Sequence, residues 1–407
     1  MFHNTAKKED LPRAYASGIL PCLGGLCALV TVMGIGRFAY TALLPGMMEQ
    51  YAMGEALAGA MAAWNYAGYL AGVLLARGEG PGRRRYVLFA LFLLLSLCST
   101  AGMGLVHTIP LWHGMRFLGG LASGVCFVLC SSIVFDTLAM ANRPGLAGLI
   151  YSGVGCGIAL GGIAAGPLVR LGGQAGAWLG MAGICLPLAL AALVFLRPQV
   201  NMAPPVVAKA GQGAKDQSAN PSRTKKGYRL LLFIYFLEGF GYIIGTTFLV
   251  ALIKDASNSP QLAATSWIVT GCAAAVSAPL WRLAARRGGY LPMLCLSFAL
   301  QGVGVLLPAL FNSVPAALAG GLLLGGTFMG ITVLSLQYGV ALSGKASAYT
   351  VAVMTAVYGV GQIIGPFVAG LAGQGNGFAP AFIISACALF LGAALLLLAL
   401  VGKKKAP

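Results

Sequence analysis

The chain has 407 residues, of which 58% are apolar and only 9% are charged, whereas soluble domains carry about a quarter charged residues. So few ionisable side chains cannot cover the surface of a soluble enzyme of this length, and the apolar excess also excludes a disordered chain. We therefore expect a polytopic membrane protein, in which each helical span needs about 20 residues.

Apolar segments of that length recur along the whole chain. A polar, basic segment rich in Pro, Gly, Ala and Ser separates six of them from the other six, and it is typical of a flexible linker. We predict a six-helix domain over 1–196, a cytoplasmic linker over 197–229 and a second six-helix domain over 230–407. The twelve predicted spans, numbered in chain order, are 18–45, 56–76, 86–106, 111–135, 147–169, 176–196, 230–253, 262–282, 290–310, 316–338, 347–371 and 379–401.

The basic residues are distributed unequally between the two sides of these spans. Of the 26 Lys and Arg residues, 22 fall on the side that carries both termini, and only Arg170 and Lys254 fall on the other side. The positive-inside rule then places both termini in the cytoplasm. The net charge of +17 is thereby explained by topology, so no nucleic-acid partner is expected.

The two six-span halves repeat one another at several positions. Residues 34–37 (GIGR) of span 1 match residues 239–242 (GFGY) of span 7, and Trp64 with Gly68 in span 2 match Trp267 with Gly271 in span 8. These matches indicate a duplicated six-helix unit. Secondary transporters are built in this way, with the binding site at the interface of the repeats.

Four segments resemble the YbfB/YjiJ-type family of the major facilitator superfamily, and the resemblance extends over all twelve spans. It implies an all-α membrane protein of two pseudo-symmetric six-helix bundles that carries small organic solutes, with or without protons. The segments are residues 34–41 (GIGRFAYT), 65–69 (NYAGY), 235–242 (YFLEGFGY) and 325–330 (GGTFMG).

Three charged residues lie well inside predicted spans, away from their ends: Arg37, Arg116 and Glu238. A charge at the centre of a bilayer costs several kcal/mol, about 3 on insertion scales, so it is usually paired or lines a wet cavity. We predict that Arg37 binds substrate or the Glu238 carboxylate, since a guanidinium holds a carboxylate by two parallel hydrogen bonds. The alternatives are a static salt bridge between the two residues and side chains that face outward.

Proton coupling is assigned to two of these residues. Burial disfavours the ionised form of a carboxyl group, which suits Glu238 to exchange a proton. Arg116, followed by Gly119, Gly120 and Gly124, is similar to an arginine-glycine motif of the superfamily that is often linked to proton coupling.

Aromatic and amide side chains near these charges are predicted to bind the solute, because they combine apolar walls with polar tips. Together with Arg37, the predicted substrate-binding residues are Tyr40, Trp64, Asn65, Tyr66, Tyr242 and Gln362. For each aromatic residue, core packing is the alternative interpretation.

A second cluster of charges is predicted at the cytoplasmic ends of spans 3 and 4. Asp136 lies about 30 Å along the helix from Arg116, too far to pair with it. We expect Asp136 to meet Arg83, Arg84 or Arg85 as a latch of the inner gate, the alternative being a solvated charge at a helix end. The loop before these arginines keeps a basic cluster but lacks the aspartate that the superfamily usually has there.

The chain carries no sequence motif of an enzyme and no spacing of Cys, His or carboxylate residues that fits a metal site. We predict no enzymatic activity, no cofactor and no metal. The leading hypothesis is an alternating-access secondary transporter in a bacterial inner membrane, acting as a monomer on a small organic solute. Proton-coupled efflux of amphipathic compounds and carriage of organic anions both remain open. The alternative is a membrane sensor, scaffold or lipid-modifying enzyme on a carrier fold.

Overall fold

The computed structural model describes residues 17–76, 82–197, 221–343 and 347–404. Within these ranges the chain is helical and contains no β-strand. Most of the predicted linker, 198–220, lies outside the described residues, as do the N-terminal arm 1–16 and the loop 77–81.

Span 1 is built from three pieces, and most other spans are single helices. Span 7 begins at Pro221, nine residues before the predicted start, so the last part of the predicted linker is helical. In chain order the elements are Ile19–Leu29, the π-helical turn Val30–Ile35 and Ala39–Gln50 (span 1), Glu55–Leu75 (2), Arg83–Leu105 (3), Ile109–Met140 (4), the 3₁₀ segment Pro144–Tyr151, Ser152–Phe195 (5 and 6), Pro221–Ser257 (7), Pro260–Gly288 (8), Tyr290–Leu310 (9), Val314–Ser343 (10), Ser347–Gly373 (11) and Ala379–Lys404 (12).

Spans 5 and 6 form one long helical segment that is broken near its middle. A straight helix of 44 residues would measure about 66 Å, roughly twice the thickness of the hydrocarbon core. Gly172 and Gly173 have non-helical backbone angles, and Gly173 has φ of +64°, which favours glycine. The break divides the segment into the two predicted spans.

Ten helices of the described chain are long and apolar enough to cross a membrane by themselves, counting the broken segment once. Glu55–Leu75 is not among them, because its glycines, tyrosines and Asn65 lower its hydropathy. Its 21 residues nevertheless give about 31 Å of helix, enough to cross the hydrocarbon core. With this helix, and with spans 5 and 6 counted separately, the described chain contains the twelve spans expected from the sequence.

Close helix packing repeats between the two halves. Gly120 and Gly124 of span 4 pack on the backbone of span 2, so that a Cβ at either position would collide with the carbonyl of Asn65 or Tyr69. In the same way, Gly321 and Gly325 of span 10 pack on the backbone of span 8. Small residues at this spacing let membrane helices approach closely. The two halves, spans 1–6 and spans 7–12, are pseudo-symmetric six-helix bundles.

Three helix pairs hold the two bundles together: spans 1 and 7, spans 2 and 11, and spans 5 and 8. Gly155 of span 5 lies against Gly271 and Ala275 of span 8, and Gly59 of span 2 lies against Pro366 and Gly370 of span 11. Below, the membrane face at which span 1 begins and span 12 ends is called the terminal face, and the other is called the opposite face.

Candidate functional site

Span 1 is interrupted where it carries Arg37. In the π-helical turn the Gly36 amide donates to the carbonyl of Thr31, 2.8 Å away and five residues back, and the regular helix resumes only at Ala39. Such π-helical turns are frequent at functional sites, and transporter binding sites are typically formed by discontinuous helices. The interruption places Arg37 at the interface between the bundles, where its neighbour Phe38 packs edge-on against Trp267 of span 8.

The Arg37 side chain is surrounded by aromatic rings. Its guanidinium carbon lies 4.5 Å from the centre of the Tyr66 ring and 4.2 Å from that of Tyr69, both in span 2. Across the interface, Leu70, which follows Tyr69, packs on Gly359, which follows Tyr358 in span 11. The residue is 2% exposed, and Nε and Nη2 have no hydrogen-bond partner. Arg37 is therefore held by cation–π contacts and keeps two free donors.

In the C-terminal bundle, four aromatic rings form a continuous stack. Phe328 and Tyr242 have ring centres 5.5 Å apart, Tyr242 and Tyr358 also 5.5 Å, and Tyr358 and Tyr235 4.6 Å, with interplanar angles of 10° to 22°. Gln362 donates from Nε2 to the Tyr242 hydroxyl, and its Oε1 has no partner. Tyr66 thus contacts Arg37, and Tyr242 with Gln362 belongs to the aromatic stack of the other bundle.

Glu238 is fully buried, but it does not pair with Arg37. Its Oε1 accepts a hydrogen bond of 3.0 Å from Nε2 of Gln301 in span 9, and Gln301 Oε1 in turn accepts one of 2.9 Å from the Thr327 hydroxyl in span 10. Glu238 Oε2 has no partner. The described residues contain no Arg37–Glu238 ion pair, which was one of the alternatives from the sequence, because the carboxylate is directed toward spans 9 and 10 of its own bundle.

Arg116 forms a separate polar group inside the N-terminal bundle. Its guanidinium carbon lies 4.3 Å from the centre of the Tyr40 ring, and its Nε donates to the carbonyl of Met61 over 3.4 Å. Asn65 donates from Nδ2 to the Arg116 carbonyl, and the Tyr40 hydroxyl donates to Ala58. Tyr40 and Asn65 thus both contact Arg116 within the bundle, and their contact with substrate stays a prediction.

Trp64 also lies outside the predicted site. Its side chain is 49% exposed and packs edge-on against His113 and Phe117 of span 4. Successive residues of a helix point about 100° apart, so Trp64 and Tyr66 point in nearly opposite directions. Trp64 therefore does not lie beside Tyr66 in this structure, and its contact with substrate stays a prediction.

The predicted contact of Asp136 is formed, with Arg85. One Arg85 nitrogen lies 2.7 Å from Asp136 Oδ2, and another donates to Ser132 over 2.6 Å, while Arg83 and Arg84 are exposed at the start of span 3. Asp136 and Arg85 both belong to the N-terminal bundle. A direct gate latch must connect the two bundles, and this pair does not.

A second ion pair, which the sequence analysis did not anticipate, does connect the bundles. At the opposite face, Lys254 at the end of span 7 pairs with Glu49 at the end of span 1. Toward the same face, the Thr41 hydroxyl donates to the Thr246 carbonyl over 2.8 Å, and the Tyr66 and Thr247 hydroxyls lie 2.9 Å apart. Glu49 with Lys254 and Thr41 with Thr246 are both separated by 205 residues, the offset of the internal repeat. Applying that offset to span 1 would have predicted both contacts.

Other residues missed by the sequence analysis are the polar partners of Glu238. Gln301 and Thr327 are buried polar side chains inside spans, which is the signal that also marked Arg37. Within the ranges that the structure describes, no group of three or more His, Cys, Asp or Glu side chains is arranged to hold a metal ion.

Comparison with known proteins identifies the family to which the chain is similar. The family model described as an uncharacterised MFS-type transporter, YbfB, matches residues 29–397. This match confirms the resemblance seen in the sequence. A comparison of the chain with curated proteins gives no match.

Three solved structures share the architecture over nearly the whole chain. The nucleoside transporter NupG aligns with a TM-score of 0.72 at 15% identity, covering 93% of this chain and 99% of NupG. A D-xylose–proton symporter gives 0.69 at 15%, covering 95% and 97%. A bacterial homologue of the human lysosomal transporter Spinster, inward-facing and occupied, gives 0.67 at 16%, covering 96% and 97%. At these identities the likeness establishes the fold.

Proposed function

Since the chain belongs to the YbfB-type family of major facilitator superfamily transporters and is a multi-pass secondary transporter, we propose that it carries small organic anions together with protons by alternating access. The proposal rests on the burial of Arg37 and on its lack of a charged partner. This residue is buried at the interface of the bundles, has no carboxylate partner among the described residues, and keeps two free donors.

An unpaired buried cation is costly, so its retention needs a reason. A transported anion provides one, because it supplies the missing partner during each cycle. A static sensor or scaffold has no such need, and for it an apolar residue would fit the bilayer better. The position of Arg37 at an interruption of span 1 adds support, since the interface between the bundles is where alternating access exposes a solute to each side in turn.

Glu238 is our candidate for the proton site. Its carboxylate has one hydrogen-bond donor, Gln301, and one oxygen without a partner. A carboxyl group in such surroundings is more easily accommodated as the neutral acid. In this proposal the transported anion neutralises the buried positive charge of Arg37 on span 1, and the proton neutralises the buried negative charge of Glu238 on span 7. Anion and proton then move in the same direction.

Efflux of amphipathic compounds is the second hypothesis from the sequence, and for a cationic compound the geometry favours it less. A cationic substrate needs an accessible carboxylate at the interface. Glu238 is the one buried carboxylate among the described residues, and it is fully enclosed and bonded to Gln301 of its own bundle. Arg37, which lies buried at the interface, would repel a cation.

We further propose that the terminal face is cytoplasmic, that the protein resides in a bacterial inner membrane, and that it acts as a monomer. The distribution of basic residues supports this orientation. A single cysteine at position 215 in a cysteine-free background tests it. Labelling of that cysteine by an impermeant reagent from outside intact cells would overturn the orientation.

The test of the proposed function is a comparison of organic acids with their primary amides, which keep the shape and lose the charge. Calorimetry on the purified protein should detect binding of acids from a panel of aliphatic and aromatic members, and little binding of the amides. In proteoliposomes, an imposed pH gradient should drive accumulation of a binding acid above that in protein-free vesicles. Equal binding of acids and amides, or accumulation indifferent to the pH gradient, contradicts the proposal.

A further inference from the structure

A small cavity lies inside the N-terminal bundle, beside Arg116. Residues of spans 1, 2, 3, 4 and 6 line it, and its volume is about 10 Å³. A cavity of this size has room for a single water molecule and none for an organic solute. Because one bundle supplies the whole lining, the cavity is distinct from the interface at which a solute is expected.

Two polar atoms of the lining have no hydrogen-bond partner in the protein. They are Oδ1 of Asn65, an acceptor, and Nε1 of Trp178, a donor, on side chains that are 0% and 2% exposed. The Asn65 amide cannot be turned around, because its Nδ2 donates to the Arg116 carbonyl over 2.8 Å and a flip would bring two oxygens together. A ligand that serves both atoms must accept one hydrogen bond and donate another.

Arg116 and Ser99 complete the polar part of the lining. The Arg116 side chain donates from Nε to the Met61 carbonyl and lies over the Tyr40 ring, and no carboxylate among the described residues pairs with it. A guanidinium has several other N–H donors, which remain for a ligand in the cavity. The Ser99 hydroxyl donates to the Ser96 carbonyl, so its oxygen can still accept.

We propose that this cavity binds one ordered water molecule, which accepts a hydrogen bond from Trp178 Nε1 and donates one to Asn65 Oδ1. Buried waters typically make about three hydrogen bonds to otherwise unsatisfied polar groups, whereas cavities that stay dry are apolar. An anion would suit Arg116 and Trp178, but the lone pairs of Asn65 Oδ1 would repel it. Water matches the donors and the acceptor together.

This water gives the two buried arginines of the bundle different surroundings. Arg116 is hydrated within its own bundle and needs no anion from outside, in contrast to Arg37. The water also links Asn65 of span 2 to Trp178 of span 6, while Asn65 is bonded to span 4 through the Arg116 carbonyl. Three spans are thereby joined at one point. The inference does not depend on which solute the protein carries.

Nuclear magnetic resonance on the purified full-length protein, with ¹⁵N-labelled tryptophan indoles, tests for the water directly. A water held at an indole N–H gives a cross-relaxation peak, and rotating-frame measurement separates this peak by its sign from chemical exchange. Trp178 should show such a peak. Trp281 is the matched control, since its Nε1 donates to the Gly326 carbonyl over 2.7 Å, and it should show none. Trp178→Phe and Trp281→Phe assign the two signals.

A cavity-filling variant provides the second arm. A Cβ at Gly119 would lie 3.0 Å from Ser99 Oγ and 3.8 Å from Asn65 Nδ2, so Gly119→Ala places a methyl group against the lining and keeps the polar groups. The Trp178 peak should be lost. Gly114→Ala lies on the same helix, where a Cβ meets no atom within 4 Å, and should retain the peak. An unchanged Trp281 signal shows that each variant is folded.

Two results would overturn the proposal. The first is a Trp178 indole without a water peak in the unmodified protein, and the second is a peak that survives Gly119→Ala. If the water peak is missing and the Trp178 resonance shifts when chloride in the buffer is replaced by bromide, the cavity binds an anion instead.

Discussion

The two bundles derive from a repeated unit, yet they bury opposite charges. Among the described residues, the N-terminal bundle buries two cations, Arg37 and Arg116, and no carboxylate, whereas the C-terminal bundle buries Glu238 and no cation. At the repeat-equivalent position of Arg37, the C-terminal bundle has Tyr242. The comparison suggests a division of function, with the solute's charge bound by one bundle and the proton by the other.

The most direct way to break this comparison is to remove the cation at the interface. Arg37→Gln should weaken binding of an organic acid by more than about thirtyfold, since losing one partner of a buried, hydrogen-bonded charge pair costs about 2–5 kcal/mol. Arg37→Lys should recover part of the affinity, because a lysine supplies the charge without the planar edge. Binding is measured by calorimetry.

Arg170→Gln is the matched control, because Arg170 is exposed near the opposite face. It should leave the affinity unchanged. An Arg37→Gln protein that binds acids as well as the unmodified protein does would remove the main support for anion carriage.

The second prediction concerns the carboxylate of the other bundle. Glu238→Gln imitates the protonated acid, so the variant should still exchange substrate across the membrane but lose accumulation driven by a pH gradient. Exchange by this variant should also vary little with pH, since its proposed proton site no longer titrates. Both activities are measured in proteoliposomes with the same preparation.

Asp255→Asn serves as the control, because Asp255 is an exposed carboxylate at the end of the same helix. It should accumulate substrate normally. Full gradient-driven accumulation by Glu238→Gln would exclude Glu238 as the coupling residue, and Arg116 would become the next group to examine for an indirect role.

Much of the fold follows from the sequence, because hydropathy and the cost of buried charge act on every residue of a span. They predicted the spans and singled out Arg37 and Glu238. Hydropathy and charge could not predict whether the side chains of Arg37 and Glu238 meet. The π-helical turn Val30–Ile35 changes the direction in which later residues of span 1 point, so a regular helical projection fails there.

The positions of the other predicted site residues differ in how far the sequence indicates them. The helical period alone separates the direction of Trp64 from that of Tyr66. The roles of Tyr40 and Asn65 depend on which carbonyls of the bundle need a donor, and that is known only once the helices are packed. The Glu49–Lys254 pair was accessible through the repeat, since residues that are equivalent in spans 1 and 7 meet where these helices cross.

That pair provides a third, smaller test, directed at how the bundles separate. Glu49→Gln should favour opening at the opposite face, because the ion pair joins the two bundles there. An exposed ion pair contributes up to about 1 kcal/mol, so the change in the open population should be at most about fivefold. Spin labels at Gln50→Cys and Ala256→Cys, in a cysteine-free background, report the distance between the ends of spans 1 and 7.

The reversed pair, Glu49→Lys combined with Lys254→Glu, keeps the attraction and should restore the original distance distribution. If Glu49→Gln leaves the distribution unchanged, the contact is a surface pair without influence on opening.

The smallest effect on opening is expected from Asp136, whose pair with Arg85 joins two helices of a single bundle. Asp136→Asn should leave the distance between Ala139→Cys of span 4 and Ala341→Cys of span 10 unchanged, because no contact between bundles is lost. It should lower the free energy of unfolding by about 1–2 kcal/mol, since Arg85 loses a charged partner in a half-buried position. Arg85→Gln should have a similar effect on stability. The double variant should lose less free energy of unfolding than the two single variants lose in sum.

A longer distance between the labels in Asp136→Asn would instead restore the inner-latch hypothesis. The pair would then act on the gate through the orientation of spans 3 and 4, and both ion pairs, within and between bundles, would control access to Arg37.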